Sequence, residues 1–304
     1  MIKWICKGDF MNKSKVYFSK EISPESLVKI FEALNFNLKG KVAVKLHSGE
    51  KGNQNYLRPE FVKPLIEYIS GTVVECNTAY SGARNTTEKH IELMKHHGWS
   101  EHFNVDILDA ILPDLELEIK NGKIINKNLV GGGIEKYDSM LVLSHFKGHP
   151  MGGYGGAIKQ LSIGCASSSG KAWIHSGGKV SDQKLVWKNT APQNDFLQSM
   201  AEAASSVAKY FDGNIAYINV MCNMSVDCDC CAVAEDPCMK DIGVLASLDP
   251  IAIDQACIDL VYSSTDKGRD HLIKRIESRN GLFTIECAKE LGFGTTDYEL
   301  INID

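Results

Sequence analysis

Residues 222–241 read CNMSVDCDCCAVAEDPCMKD. They set Cys228, Cys230, Cys231 and Cys238 within eleven residues, with Asp227 and Asp229 among them. Thiolates this close in a reducing compartment are commonly joined by zinc or an iron–sulfur centre, because soft sulfur ligands hold these metals best. The spacing C-x-C-C-x6-C matches no zinc-finger or ferredoxin pattern. A redox disulfide, and loop thiols with no ligand, therefore stand beside metal binding. Adjacent Cys230 and Cys231 are poorly placed to face one ion together. If the loop stays extended, C-D-C puts Cys228 and Cys230 on one side and Asp229 on the other.

A second constellation fills SHFKGHPMGGYGGAIKQLSIGCA, residues 144–166. A buried strand, a glycine-rich turn and a helix in that order form the general anion site of α/β proteins. Glycines such as Gly153, Gly155 and Gly156 let the backbone approach a ligand, with the helix starting near Gly156. It is neither a Walker loop nor the dinucleotide spacing G-x-G-x-x-G, and close packing of strand on helix explains the glycines equally well.

Two other strands end in similar company. Lys45, His47 and Glu50 come with the first, Asn77, Tyr80 and Arg84 after the second, and His145, Lys147 and His149 after the buried one. Lys159, Lys171 and His175 follow. So many cations and imidazoles at one rim repel each other unless an anionic ligand, metal-bound water or carboxylates lie between them. The expectation is an anion-binding pocket in which His47, His149 or His175 moves protons, since imidazole titrates near neutrality.

The elements that must carry these residues are legible in outline. VAVKL reads as a strand, and Pro59 opens a helix with Phe61, Leu65 and Ile69 on one face. TVVEC, a helix ending at Gly98, and VDILDAI follow. Such alternation predicts a mostly parallel sheet flanked by helices. LELEIKNGKIINKNL, turning at Asn121-Gly122, predicts a decorating β-hairpin, and DSMLVLSHF a strand buried on both faces. Residues 176–194 carry turn residues without period and read as a loop. Then come the helix FLQSMAEAASSVAKYF, the strand NIAYINVM, the cysteine loop, the strand-like DIGVLAS and a helix capped by Asp249-Pro250. Two further helical stretches and YELINI complete the chain.

The chain has 304 residues, 44% of them apolar and 23% charged, with a net charge of −5. That suits a globular domain with a sizeable core and gives no electrostatic footprint for nucleic acid. No apolar run is long enough to span a bilayer, and the opening residues carry no secretory signal. The expected location is cytoplasmic. Cys6, Cys76, Cys257 and Cys287 stand alone and read as small buried hydrophobes.

Five segments, taken together, resemble the domain-of-unknown-function 362 family. They are VAVKLHSGEKGNQNYLRP, ECNTAYSGARNTTEKHIELMKHHGW, LSHFKGHPMGGYGGAIKQLSIGCASSSGKAWIH, CDC and DIGVLASLDPIAIDQACIDLV. The resemblance implies an α/β fold and a bacterial or archaeal cytoplasmic protein, often labelled an iron–sulfur centre protein, with no settled reaction. Many relatives carry a ferredoxin-like insert of C-x2-C-x2-C-x3-C-P runs after the position of His175. Residues 176–194 contain no cysteine, so paired four-iron clusters are not expected. The CDC at Cys228–Cys230 is retained, whereas Cys231 and Cys238 look like additions. Relatives begin near SKVYF, which makes residues 1–10 an upstream extension and 11–304 one α/β domain, divisible into lobes 11–135 and 136–304.

The resulting expectation is an enzyme-like binder of a small anionic substrate, with a metal- or redox-linked cysteine cluster holding zinc or iron. Its rivals are a non-catalytic metal-handling or redox protein serving a partner, and a scaffold that lost activity with the insert. Nucleic-acid and membrane partners are not expected.

Overall fold

The structure is a computed structural model that describes residues 13–304. Cys6 and the expected upstream extension, residues 1–10, lie outside the described residues.

The centre of the sheet forms where the sequence is most continuously apolar. Strand β7 (Ser139–His145) is buried along its whole length. Met140 and Val142 pack into one hydrophobic cluster, with Ile158, Leu161, Ala201 and Ile251. Leu141 and Leu143 pack into another on the opposite face, with Leu27, Ile30, Leu65 and Ile66. Alternate side chains of one strand thus feed two cores, as a strand covered on both faces must.

In chain order the elements are β1 (Ser14–Ser19), α1 (Pro24–Ala33), β2 (Val42–Lys45), α2 (Pro59–Tyr68), β3 (Thr72–Glu75), α3 (Thr87–His96), α4 (Trp99–His102) and β4 (Val105–Ile107). After β5 (Leu115–Glu118), β6 (Lys127–Val130) and β7 come β8 (Lys147–His149), β9 (Gly153–Gly155), α5 (Ala157–Lys159) with a π-helical continuation to Gly164, α6 (Ser168–His175) and α7 (Gln193–Tyr210). β10 (Ile215–Met221), β11 (Gly243–Ser247), α8 (Pro250–Ser263), α9 (Arg269–Ser278), α10 (Phe283–Glu290) and β12 (Tyr298–Asn302) finish the chain.

Eight strands make one sheet in the order β12-β1-β11-β10-β7-β2-β3-β4. Pairing is parallel throughout except at β11, which runs antiparallel to both neighbours. This is the predicted mostly parallel sheet flanked by helices. From β2 the chain winds outward to β3 and β4, while β7 returns to the other side of β2. The reversal leaves a crevice at the carboxyl ends of β2 and β7, where ligands of open α/β sheets collect.

The predicted hairpin forms, with Leu115 opposite Val130 and Glu118 opposite Lys127. Its loop is longer than Asn121-Gly122 alone suggests, because Glu202 of α7 accepts the backbone N–H groups of Lys123 and Ile125 and draws the loop off the ladder. Asp249 caps α8 through Ile251 and Ala252, with Pro250 at the first position, as its sequence demands. Several elements escaped the sequence pattern, among them β1 with its following α1, whose Ser23 forms a capping box with Ser26, the short helices α4 and α6, and the small β8–β9 hairpin inside the glycine stretch. Cys76, Cys257 and Cys287 are buried as expected. No helix among the described residues is long and apolar enough to cross a membrane.

Candidate functional site

A cavity of about 280 Å³ opens at the carboxyl ends of β2 and β3, beside β8. Lys45, His47, Arg84, His149, Lys159, Lys171, His175, Cys230 and Cys231 line it. Of the residues singled out from sequence, Asn77, Lys147, Gly153, Gly155, Gly156, Cys228 and Cys238 do not. The side chain of Asn77 bonds Thr87 and His90 instead. Tyr80, Met151, Ile163 and Trp187 add less polar wall.

Carboxylates neutralise part of the rim. The Lys45 ammonium lies 2.7 Å from Glu75, and the Arg84 guanidinium 3.2 Å from Glu50. Burial alone pushes Glu75 up, but Lys45, His90 and Arg84 outweigh it and hold the carboxyl at about 2. Lys147 sits 2.7 Å from Asp229, whose other oxygen is 2.8 Å from His145 Nδ1. His145 Nε2 faces the Cys222 carbonyl at 2.6 Å, so both ring nitrogens face acceptors. The cysteine loop is not extended as the C-D-C alternation assumed, because Cys231 N–H donates to the Cys228 carbonyl at 2.9 Å and closes a turn through Asp229 and Cys230. Asp229 anchors that turn to β7 and β8.

Lys159 and Lys171 are different. Neither has a carboxylate within ion-pair distance among the described residues. Lys171 donates to the Ala166 carbonyl at 2.6 Å, and burial lowers its pKa. Lys159 reaches the Cys228 sulfur at 3.6 Å; burial pulls its pKa down, and Cys228, Cys230 and Asp229 together outweigh that pull.

The helix start that was expected to bind an anion takes its anion from within the chain. Asp254 of α8 accepts from the N–H of Ala157 at 2.7 Å, from that of Ile158 at 3.0 Å and from Asn219 Nδ2 at 2.8 Å. A Cβ at Gly156 would lie 2.4 Å from that carboxylate, so glycine there makes room for Asp254 and not for a solute. Burial raises Asp254 to about 6.

Three imidazoles in the cavity have their tautomers set by backbone. His149 Nδ1 accepts from the N–H of Met151 and Gly152, at 3.2 and 2.8 Å. His47 Nδ1 accepts from Gly49 N at 3.1 Å. A neutral ring that accepts at Nδ1 carries its proton on Nε2. His175 is the reverse, because its Nδ1 faces the Lys171 carbonyl at 2.7 Å and must donate. All three rings are pushed low, first of all by burial, His175 to about 4. They are neutral at physiological pH.

His149 Nε2, Cys228 Sγ and Cys230 Sγ lie within 4.8 Å of one another, close enough to hold one metal ion. A Cys2His donor set suits zinc or iron. Loading asks for two changes: the proton on His149 Nε2 must leave, and the Lys159 ammonium must tolerate a cation beside it. Cys231 stays at the rim, where contact with Cys230 lowers its pKa, while burial pushes Cys228 well up. Cys238 is turned away to the Met224 carbonyl at 3.1 Å. The sequence reading grouped all four cysteines and left His149 out. What joined them is the fold, which carries β8 under the loop so that Gly148 N bonds the Ser225 carbonyl.

Among solved structures the chain is similar to the lactate racemase apoprotein of Thermoanaerobacterium thermosaccharolyticum, at 15% identity and a TM-score of 0.43, covering 67% of this chain and 50% of that one. It is also similar to a crystal structure of a Thermotoga maritima protein, at 10% identity and a TM-score of 0.41, covering 88% and 58%. The chain thus spans about half the length of the solved structures it matches. No curated protein matches it. The sequence profile of one family matches residues 42–259, from the first residue of β2 into α8, and takes in every residue that lines the cavity. The chain belongs to that family, the domain of unknown function 362 (DUF362).

Proposed function

We propose that this protein is an enzyme-like binder of a small anionic substrate, seated in the cavity between Lys159, Lys171 and the three histidines. One observation carries the reading: the buried Lys171 and the half-buried Lys159 open their ammonium groups onto the same cavity with no carboxylate partner among the described residues. A buried charge left unpaired is costly, and an anion from solution completes it. The cavity is slightly smaller than the usual range of roughly 300–1,000 Å³ for drug-sized ligands, which suits a substrate of few atoms. Nine described cysteines, none in a disulfide, fit a reducing cytoplasm.

Thermal unfolding with formate, acetate, phosphate and sulfate tests this. A ligand at 100 times its dissociation constant stabilises by about 2.7 kcal/mol, and Lys171→Met should lose most of that gain. If no anion shifts the wild type, the reading falls.

A second reading rests on the convergence of His149, Cys228 and Cys230. There the protein holds or passes on a zinc or iron ion, with a redox or metal-accepting partner. Metal analysis of anaerobically purified protein decides it: an ion in near one-to-one ratio, lost in a Cys228→Ser, Cys230→Ser double variant, favours metal handling.

A further inference from the structure

We propose that His175 is the proton acceptor of this cavity and His47 a fixed hydrogen-bond donor. The substrate is then a small carboxylate carrying its own hydroxyl group, a hydroxy acid. This rests on the reading of the cavity as an anion site.

The two rings line one cavity with opposite edges exposed. His175 spends its only proton on the Lys171 carbonyl, one turn back in α6, so Nε2 is left as a lone pair. Nε2 has no hydrogen-bond partner among the described residues. Phe196 stacks on the ring at 4.9 Å and Trp187 meets it edge-on at 5.6 Å, so the ring cannot easily flip to exchange its nitrogens. His47 accepts from Gly49 and offers Nε2–H instead, likewise without a protein partner among the described residues.

A ligand that satisfies the whole cavity must meet three demands. It must be anionic for Lys159 and Lys171, accept a hydrogen bond from His47, and donate one to His175. An amino acid meets the third demand with an ammonium that the two lysines repel. A plain carboxylate has no donor. A hydroxy acid meets all three, and Met151, Ile163 and Trp187 offer apolar wall to its carbon chain.

The step itself is one proton transfer. The substrate O–H bond breaks, its electron pair stays on oxygen, and the proton joins His175 Nε2. The imidazolium keeps its Nδ1–H on the Lys171 carbonyl, while the alkoxide is stabilised by the two ammonium groups and His47 Nε2–H. No electrons are gained or lost.

Two measurements on the full chain test this. Nitrogen-15 NMR of the histidine side chains reads tautomers directly. His175 should show the Nδ1–H form and His47 the Nε2–H form, and the opposite assignment overturns the proposal. Calorimetric binding of glycolate against acetate, and of 2-hydroxyisobutyrate against isobutyrate, reads the hydroxyl. Each hydroxy acid should bind about tenfold tighter than its partner, and His175→Phe should erase that ratio. Equal binding of both members by the wild type overturns the donor–acceptor assignment and leaves the anion site standing. No binding of any of the four overturns both.

Discussion

The Lys159 ammonium lies 3.6 Å from the sulfur of Cys228, on the same group of atoms that could hold a metal ion. A cation of the protein thus competes with a cation from solution. Two unit charges about 4 Å apart repel by about 4 kcal/mol at an effective dielectric of about 20, and a divalent ion doubles that. Lys159→Met should therefore raise zinc affinity by at least about tenfold, the equivalent of about 1.4 kcal/mol. Competition with a chromophoric chelator measures it. Equal affinity in the two proteins would mean that the ammonium moves aside freely.

Asp254 is the built-in anion of the glycine stretch, so its removal should make the helix start a real anion site. Asp254→Ala leaves the N–H groups of Ala157 and Ile158 and the amide of Asn219 without an acceptor. The expected loss is about 3 kcal/mol or more, from charge-assisted bonds of about 1.5–3 kcal/mol each. Formate should restore part of that stability in the variant, and by more than it adds to the wild type. Urea unfolding with and without formate provides the comparison.

The Lys45–Glu75 pair ties stability to acid. Glu75 has a folded pKa of about 2 against an ordinary 4.5. Its contribution is thus fully present above pH 4.5 and is lost as pH falls towards 2. Glu75→Gln should cost about 3–5 kcal/mol at pH 7, the range for breaking a buried pair. The gap between wild type and variant should close between pH 4.5 and 2. Unfolding curves at stepped pH check this, and a constant gap would contradict it.

Gly148 lets β8 lie against the cysteine loop. A Cβ there would stand 2.2 Å from the Val226 carbonyl oxygen, a backbone atom that cannot step aside alone. Gly148→Ala should lift the loop, cost about 1–3 kcal/mol, and speed thiol modification of Cys228 severalfold. Cys257, buried in α8 outside the cavity lining, serves as the internal control in mass-spectrometric labelling.

What could be read in the sequence was what neighbours in the chain decide. The run around Leu141 and Leu143, the Asp249-Pro250 cap and the turn at Asn121 carry their structure locally. β8 and β9 were unreadable because three residues with glycines among them have no period of their own and gain order only from pairing. Strand ends gave the position of Lys45, His47 and His149. They could not give the charge balance, because Glu75 belongs to an apolar strand and Asp254 to an apolar helix 97 positions from Ala157. A comparable separation in sequence hid the approach of His149 to Cys230, 81 positions on.

β1 has both of its sheet neighbours, β11 and β12, near the far end of the chain. Ser19 and Asp304 hydrogen-bond across 285 positions. On the ribosome β1 therefore emerges among the first described residues and waits, with two bare hydrogen-bonding edges, until nearly all the rest has been made. The β2–β3–β4 crossovers need no such delay. Bare strand edges invite pairing with other chains, so mispairing of the nascent chain threatens first at this strand.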